Sequence, residues 1–375
     1  METTSNEKEK ESKGSKVKFD NESKPTVNTQ EQRKLKEKLN FRSISMPAAE
    51  IARVRDKVKM MQLDLSFVSD TESLKIDLSN LRSPTSPKVS TPSKAQKIAL
   101  FDKICSEITN YLYLGSDSIA QDFNTLNQFG ITHILNCAAT ICKNYHPDKF
   151  QYKELYLFDG TRENISCLFY EVLEFLEDAI SSGGKVFVHC HQGISRSSAM
   201  VILYLMWKDK REYQFTHERV KAIRDVANPN AGFTCQLLNW WDHRTENHLP
   251  KFYTVLPHYE KTPSLFMMKE LPKEEISTKS LDRRGCFLLW DKNIIYIWVG
   301  KECTTPLKDG GERYAKRLQR FENAPNYQIE YQGNESSEFI ESIGGDSQKL
   351  NDVQTIPIYD ESFKILKLLP REDSH

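Results

Sequence analysis

Aromatic side chains are distributed unevenly along this chain of 375 residues, and this limits which parts of it can fold. The chain has 19 Phe, 15 Tyr and 5 Trp, yet residues 1–100 hold only Phe19, Phe41 and Phe67. A segment with so few large apolar side chains cannot bury enough surface to offset the conformational entropy lost on folding. The sequence therefore predicts a disordered, mildly basic regulatory tail over residues 1–100 and folded structure in the remainder.

Charge and hydropathy argue against several classes of protein. Lys plus Arg and Asp plus Glu each total 52, and the small positive excess in the predicted tail is too weak to indicate a nucleic-acid partner. No apolar run reaches the roughly 18 residues that a membrane span needs, so no transmembrane segment is expected. The chain starts without the apolar core of a secretory signal, and its eight cysteines are irregularly spaced. Reduced thiols and a cytoplasmic or nuclear location are therefore expected, with no cofactor.

Residues 101–248 alternate between short apolar strands and an amphipathic helical pattern. The predicted strands cover residues 111–114, 131–136, 152–157 and 186–188. Before the last of them, Leu168, Val172 and Phe175 recur at helical spacing, and two glycines end that helix. Strands that alternate with helices predict an α/β fold, with a mainly parallel central sheet flanked by helices.

Residues 251–346 predict a second, smaller α/β domain. Its predicted strands cover residues 286–290, 294–298 and 327–331. Apolar residues at helical spacing between Leu307 and Phe321 predict a helix before the last strand. Residues 347–375 are expected to form a C-terminal tail.

A polar segment lies between the buried strand at 186–188 and the helix that follows it. Its residues are His189, Cys190, His191, Gln192, Gly193, Ile194, Ser195, Arg196 and Ser197. A loop that enters a helix directs free backbone N–H groups towards one point, and the helix dipole adds positive potential there. We therefore predict a phosphate-binding loop over residues 189–196, in which Gly193 permits the tight turn and Arg196 grips two phosphate oxygens.

The same loop carries a candidate nucleophile. Its positive environment favours the thiolate of Cys190, which can attack phosphorus to give a phosphocysteine that water then hydrolyses. Ser197 can donate a hydrogen bond to the sulfur and help it leave. His189 and His191 flank the cysteine, but neighbouring positions on one loop cannot surround a metal ion without ligands elsewhere, so no metal site is predicted.

The order His-Cys, five residues, Arg-Ser resembles the signature of the cysteine-based protein tyrosine phosphatases. The form of residues 193–197 is similar to the dual-specificity branch, in particular to the MAP kinase phosphatases, and residues 130–136 and 228–233 resemble the same branch. The resemblance implies the dual-specificity phosphatase fold and hydrolysis of phosphotyrosine and phosphoserine/threonine, with a phosphorylated MAP kinase as substrate. It also implies that His189 tunes the thiolate and orders the loop.

The resemblance further requires a general acid on the loop before the helix that precedes the signature. Asp159 fits by context and would protonate the leaving oxygen and then activate water. Asp148 is the nearest rival, in a Pro-containing loop farther upstream. Asn230 resembles a position that braces the active-site loop, and a helix cap is an equal alternative for it.

Three further cysteines in this region, Cys105, Cys137 and Cys142, are mainly structural candidates. The alternative is that one of them forms a protective disulfide with an oxidised Cys190.

The second domain resembles a gelsolin-like domain, most specifically in the segment Ile-Tyr-Ile-Trp-Val-Gly-Lys at 295–301. Gelsolin domains can bind Ca²⁺ through an Asp at the start of the first strand and a Glu on the helix. Glu312 matches the Glu, but Gly285 stands at the Asp position, so a hard cation would lose a carboxylate. We expect a packing or protein-interaction module with actin as a candidate partner. Plant-type MAP kinase phosphatases are similar in pairing the two domains.

The tail holds three weaker signals. Residues 42–47 match a 14-3-3 ligand once Ser45 is phosphorylated. Residues 57–65 and 33–41 combine basic and apolar positions, as kinase docking motifs do. Residues 51–65 also fit a basic amphipathic helix, which would bind calmodulin or a membrane surface instead.

Two other functions compete with a protein phosphatase. One is an actin-linked scaffold whose phosphatase fold chiefly captures phosphoproteins. The other is an enzyme acting on phosphoinositides or RNA 5′ ends, although the loop between Cys190 and Arg196 lacks the Lys that lipid-phosphate phosphatases tend to place there.

Overall fold

A computed structural model of the chain describes residues 92–245 and 249–369. Most of the predicted tail, including Ser45 and the two docking segments, lies outside these residues, so each of those interpretations stays a prediction. Within the described part of the chain, no helix is both long enough and apolar enough to cross a membrane.

The first region is an α/β unit. Its strands are β1 Ser106–Glu107, β2 Leu112–Gly115, β3 His133–Asn136, β4 Gln151–Glu154 and β5 Val186–His189. Its helices are α1 Lys94–Asp102, α2 Asp117–Gln121, α3 Phe123–Gln128, α4 Phe169–Ser181, α5 Arg196–Asp209, α6 Tyr213–Ile223 and α7 Ala231–Thr245. The sheet order is β1-β2-β5-β3-β4, in which β1 is antiparallel and the other four strands are parallel. This is the mainly parallel sheet that the alternation of strands and helices predicts.

The parallel register brings the carboxyl ends of three strands to one edge of the sheet. Asn136 at the end of β3 pairs with His189 at the end of β5, and the Cys137 N–H donates to the His189 carbonyl at 2.9 Å. Strand β5 is completely buried because both faces of the sheet are covered there. The loop after β5 therefore emerges beside the segments that follow β3 and β4.

The second region is built on another five-stranded sheet. Its strands are β6 Lys251–Tyr259, β7 Thr262–Leu271, β8 Cys286–Trp290, β9 Ile295–Val299 and β10 Tyr327–Tyr331. Its helices are α8 Thr305–Glu322, α9 Ser337–Ser342, α10 Ser347–Asn351 and α11 Asp360–Leu366. The sheet order is β10-β9-β8-β6-β7, with only the β9–β10 pair parallel among these strands. Strands β8, β9 and β10 and helix α8 lie where the sequence predicts them.

The two regions share one hydrophobic core, because buried side chains of α4 and α5 belong to the same cluster as those of β6, β8 and α8. Across this contact the Trp207 indole N–H donates to the Phe321 carbonyl at 3.3 Å, and the two rings lie 5.1 Å apart. Arg244 pairs with Glu322 at 2.6 Å, and the Tyr170 hydroxyl donates to the same carboxylate at 3.1 Å. The carboxyl end of α8 is therefore held by the first region.

Both outer boundaries of the folded part differ from the predicted ones. Helix α1 begins at Lys94, inside the predicted tail, because Ser93 and Gln96 form a reciprocal capping box. At the other end, Leu350 and Phe363 of the expected C-terminal tail are buried against the second sheet. Residues 347–366 therefore add buried apolar side chains to the core of the second region.

Candidate active site

The polar loop predicted at 189–196 connects β5 to α5 at the carboxyl edge of the first sheet. Four successive loop carbonyls, those of residues 191 to 194, accept hydrogen bonds from groups outside the loop. The Asp117 N–H donates to His191 O at 3.1 Å and the Asn228 N–H donates to Ile194 O at 2.8 Å. The N–H and C=O of a planar trans peptide point in opposite directions, so the amides that follow these carbonyls face the inside of the loop. The sequence thus folds into a concave row of N–H donors suited to an oxyanion.

The two carbonyls in the middle of the loop are held by Arg224, whose side chain is fully buried. Its guanidinium donates to Gly193 O at 2.8 Å and to Gln192 O at 3.0 Å, and also to Phe101 O and Ile104 O at 3.1 Å each. Burial lowers the pKa of Arg224 to about 10, which still leaves it charged near neutral pH. No sequence motif marks Arg224 as part of the loop.

Gly193 occupies the tight turn for which the sequence predicts a glycine. Its φ of 67° lies in the left-handed region, and a Cβ atom there would stand 2.3 Å from Gly115 O and 2.5 Å from the Arg224 guanidinium. Any side chain at this position would displace the arginine that holds the loop.

The predicted nucleophile, Cys190, is 2% exposed at the start of the loop. The Ser197 hydroxyl donates to its sulfur at 3.2 Å, as the predicted role of that serine requires. Arg196 begins α5 and is also buried, with Nη1 donating to Leu157 O at 3.1 Å. The structure therefore brings these three predicted residues together at the amino end of one helix.

Asp159, the predicted general acid, lies over the same loop. Its Oδ1 accepts hydrogen bonds from the Ser195 hydroxyl at 2.7 Å and the Asn230 amide at 3.1 Å, and its Oδ2 stands 3.5 Å from Arg196 Nε. The rival Asp148 lies in a turn before β4, whereas Asp159 follows that strand. Because β4 and β5 run in the same direction, only Asp159 lies at the edge of the sheet that carries Cys190.

Comparisons with known proteins identify two sequence families in the chain. Residues 112–243 match the dual specificity phosphatase catalytic domain, and residues 267–340 match the gelsolin repeat. The chain is 38% identical over 256 residues to the Arabidopsis thaliana protein-tyrosine-phosphatase MKP1, covering 67% of this chain and 32% of that protein. It is 40% identical over 136 residues to the Arabidopsis thaliana dual specificity protein phosphatase 1, covering 36% of this chain and 68% of that protein. The chain belongs to the dual-specificity phosphatase family.

The fold expected from the resemblance is therefore confirmed, including the small gelsolin-like unit. A solved structure of the human tyrosine phosphatase-like serine/threonine/tyrosine-interacting protein is 35% identical, covering 38% of this chain and 98% of that one, with a TM-score of 0.36. The chain spans about a third of the length of Arabidopsis MKP1.

The two histidines beside Cys190, the candidate nucleophile of this phosphatase-family chain, differ in environment. His189 is fully buried, with its ring stacked on Phe187 at 5.6 Å, and burial lowers the pKa of its imidazole to about 4. It is therefore neutral at physiological pH. His191 is exposed. Among the described residues, no group of three or more His, Cys, Asp or Glu side chains is placed to hold a metal ion.

Asn230 combines the two interpretations that the sequence left open. Its amide donates to Asp159, and its own N–H donates to the Ser195 hydroxyl at 3.1 Å. Its Oδ1 accepts from the Phe233 N–H at 3.0 Å in the first turn of α7, as a helix cap does. One side chain thus links α7 to the general-acid candidate.

Four of the other cysteines of the phosphatase region, Cys105, Cys137, Cys142 and Cys167, are buried thiols, whereas Cys235 is exposed. Cys137 follows β3 at the position neighbouring Cys190 in the parallel register, while burial raises the pKa of Cys142 and of Cys105 to about 12. Thiols that stay protonated react slowly, so the structural interpretation suits Cys105 and Cys142.

The candidate calcium positions of the gelsolin-like unit do not form a carboxylate cluster. The Glu312 carboxylate accepts from the Tyr327 hydroxyl at 3.4 Å and lies 3.6 Å from Lys308 Nζ. A Cβ atom on Gly285 would stand 2.5 Å from the Phe287 ring, so an Asp side chain does not fit at this position. The residues present therefore do not suit Ca²⁺, which prefers several oxygen ligands.

Proposed function

We propose that this chain is a protein phosphatase that hydrolyses phosphotyrosine and phosphoserine/threonine and thereby inactivates MAP kinases. The observation that carries the proposal is the loop at 190–195, whose carbonyls are tied outwards while a buried cysteine and arginine stand at its two ends. Such a loop offers inward N–H groups and one guanidinium to three phosphate oxygens.

The proposed reaction has two steps. The Cys190 thiolate forms an S–P bond as the P–O bond to the leaving oxygen breaks, and Asp159 supplies the proton that the leaving oxygen takes. Water then attacks phosphorus with Asp159 as base, which releases inorganic phosphate and restores the thiolate. Arg196 holds the phosphoryl oxygens in both steps, and the Ser197 hydroxyl stabilises the departing sulfur. No metal or cofactor takes part in this scheme.

Two features support a phosphoprotein substrate. The loop between Cys190 and Arg196 carries no Lys. A Lys in this loop would favour a phosphoinositide substrate, because that substrate carries several phosphates. The relative named protein-tyrosine-phosphatase MKP1 matches across 256 residues of this chain. A MAP kinase phosphorylated on Tyr and Thr is the substrate we infer. Phosphoinositides and RNA 5′ ends are the alternatives that a side-by-side rate comparison distinguishes.

Hydrolysis of an aryl phosphate tests the assignment directly. Cys190→Ser and Arg196→Ala should each abolish turnover, and full activity in either variant would contradict the proposal. Asp159→Ala should slow turnover by roughly 100-fold. Either Cys190→Ser or Asp159→Ala can then serve as bait in a lysate. A phosphorylated MAP kinase among the retained proteins is the expected result, and retention of actin alone would favour the scaffold function.

The proposal for the gelsolin-like unit is a packing and protein-interaction role. Its support is the core that it shares with the catalytic region and the lack of a carboxylate cluster for Ca²⁺. Cosedimentation with actin filaments tests the competing role in actin binding. The division into a catalytic domain at 101–248 and a second domain at 251–346 is part of the same proposal, as are a cytoplasmic or nuclear location and 14-3-3 binding at phosphorylated Ser45.

A further inference from the structure

The tip of the β6–β7 hairpin contacts the segment that leads to Asp159. His258 Nε2 accepts a hydrogen bond from the Tyr156 N–H at 3.2 Å. The neighbouring Tyr259 ring stacks on the Tyr156 ring, with centroids 4.5 Å apart and planes inclined by 13°. Two adjacent residues of the gelsolin-like unit therefore hold both the backbone and the side chain of one residue in the catalytic region.

Tyr156 lies three positions before Asp159 in an extended segment after the edge strand β4. Its two neighbours face the catalytic sheet, because the Leu155 N–H donates to Asn136 O at 2.8 Å and Leu157 O accepts from Arg196 at 3.1 Å. Groups alternate in direction along an extended chain, so the Tyr156 N–H points away from the sheet, where an edge has no strand to pair with. The hairpin supplies that partner.

The protonation state of His258 suits a hydrogen-bond acceptor for the Tyr156 N–H. Burial lowers the pKa of its imidazole to about 4, so the ring is neutral at physiological pH. With Nε2 accepting from Tyr156, the ring proton is on Nδ1. A charged imidazole could not accept this hydrogen bond.

We propose that His258 and Tyr259 are positioning residues for the general acid: they fix the chain before Asp159 so that its carboxyl group reaches the leaving oxygen. This inference rests on the proposed function and on the proposed role of Asp159. It assigns the gelsolin-like unit a part in the chemical step, in addition to packing.

The test separates protonation of the leaving group from the rest of catalysis. Phenyl phosphate releases a strongly basic phenolate that needs a proton, whereas 2,4-dinitrophenyl phosphate releases a weak base that does not. In the full chain, His258→Phe removes the acceptor but keeps a ring, and it should lower kcat/KM for phenyl phosphate roughly 10-fold, less than the full effect of a general acid. Because kcat/KM covers only the steps up to release of the leaving group, the later step with Asp159 as base does not enter it, and kcat/KM for dinitrophenyl phosphate should change less than twofold.

His258→Gln is the matched rescue, because its amide oxygen can take the place of Nε2, and it should keep at least half of the wild-type kcat/KM for phenyl phosphate. Tyr259→Leu should show the same leaving-group selectivity as His258→Phe. The control is Glu260→Ala at the exposed tip of the same hairpin, which should match the wild type with both substrates. Equal losses with both substrates in His258→Phe, or no loss with either, would overturn the inference.

Asp159→Ala, measured with the same two substrates, distinguishes failure of the positioning role from failure of the general-acid assignment. A large loss confined to phenyl phosphate supports Asp159 as the acid. If Asp159→Ala is selective and His258→Phe is not, the positioning role is wrong while the proposed function stands. If Asp159→Ala is itself unselective, the assignment of the acid fails and the positioning role fails with it.

Discussion

The phosphate-binding loop is held by the buried Arg224, and the contact between α4 and α8 is held by the buried Arg317, but the two side chains have opposite surroundings. Arg224 donates to four backbone carbonyls and the Ser106 hydroxyl, all neutral acceptors. Arg317 lies 2.6 Å from a carboxylate oxygen of Glu171 and 2.6 Å from one of Glu174. Burial alone lowers an arginine pKa, as it does for Arg224, yet the two carboxylates raise the pKa of Arg317 above its ordinary value.

This difference indicates different roles: Arg224 contributes positive charge to the binding of an anion, whereas Arg317 stabilises the fold. None of the hydrogen-bond acceptors of Arg224 carries a charge, so its positive potential is available to the thiolate and to a bound phosphate. The charge of Arg317 is balanced locally by Glu171 and Glu174, and Lys153 contacts Glu171 as well. Arg317 should therefore stabilise the junction between the two regions without affecting the loop.

The largest expected effect is that of Arg224→Met on catalysis. Without this side chain the carbonyls of Gln192 and Gly193 lose their donors, and the inward amides lose their fixed direction. We expect kcat/KM for an aryl phosphate to fall roughly 100- to 1,000-fold, as it does when a preorganised oxyanion donor is lost. Arg224→Lys is the control, because it retains the positive charge but has fewer N–H donors. Its kcat/KM should lie between the values of the wild type and of Arg224→Met. Activity of Arg224→Met within threefold of the wild type would contradict this role.

The second prediction concerns Arg317→Met, which leaves the buried Glu171 and the half-buried Glu174 with one cation fewer. The free energy of unfolding should fall by about 3 kcal/mol, since removing one member of a buried ion pair leaves the charge of its partner poorly compensated. Urea denaturation measures this change. The kcat for dinitrophenyl phosphate should stay within threefold of the wild type, and a loss as large as that of Arg224→Met would remove the distinction between the two arginines.

The contrast also explains which parts of the site the sequence could predict. Residues 189–197 are contiguous, so strand, loop and helix could be recognised together, and Asp159 could be placed by its position relative to the next helix. Arg224 reaches the loop from the end of α6, and its sequence neighbours carry no sign of that contact. It could be found only once the fold had brought α6 against the loop.

The β6–β7 hairpin, which contacts Tyr156, could not be predicted either, because both of its strands contain a proline. Pro257 and Pro263 argue against strands because proline cannot donate to a ladder. The pairing of β6 with β8 covers only Lys251–Val255, so Pro257 lies beyond it, next to an irregularity in the β6–β7 register. Strand β6 thus tolerates Pro257 because the pairing with β8 has already ended at this position.

A third prediction uses a phosphate analogue to sharpen the comparison. Orthovanadate at about 100 times its dissociation constant should raise the free energy of unfolding by about 2.7 kcal/mol if it binds only the folded protein. Wild type and Arg317→Met should show this gain at the same vanadate concentration, whereas Arg224→Met should lose most of it. Thermal unfolding measures the gain in stability. Equal gains in all three proteins would show that Arg224 does not contribute to anion binding.

The smallest expected effect comes from His189, which burial keeps neutral. Its pKa is about 4 in the folded chain against 6.5 ordinarily, so between these values the unfolded chain binds more protons than the folded one. The free energy of unfolding should therefore fall as the pH drops from about 6.5 towards 4, and this histidine should contribute on the order of 1–2 kcal/mol of that fall at pH 5. His189→Asn removes the titrating group, so its loss between pH 7 and pH 5, measured by urea denaturation, should be smaller than the wild-type loss by that amount. An identical pH dependence in the two proteins would mean that the imidazole is protonated in place, as a third buried cation in addition to Arg196 and Arg224.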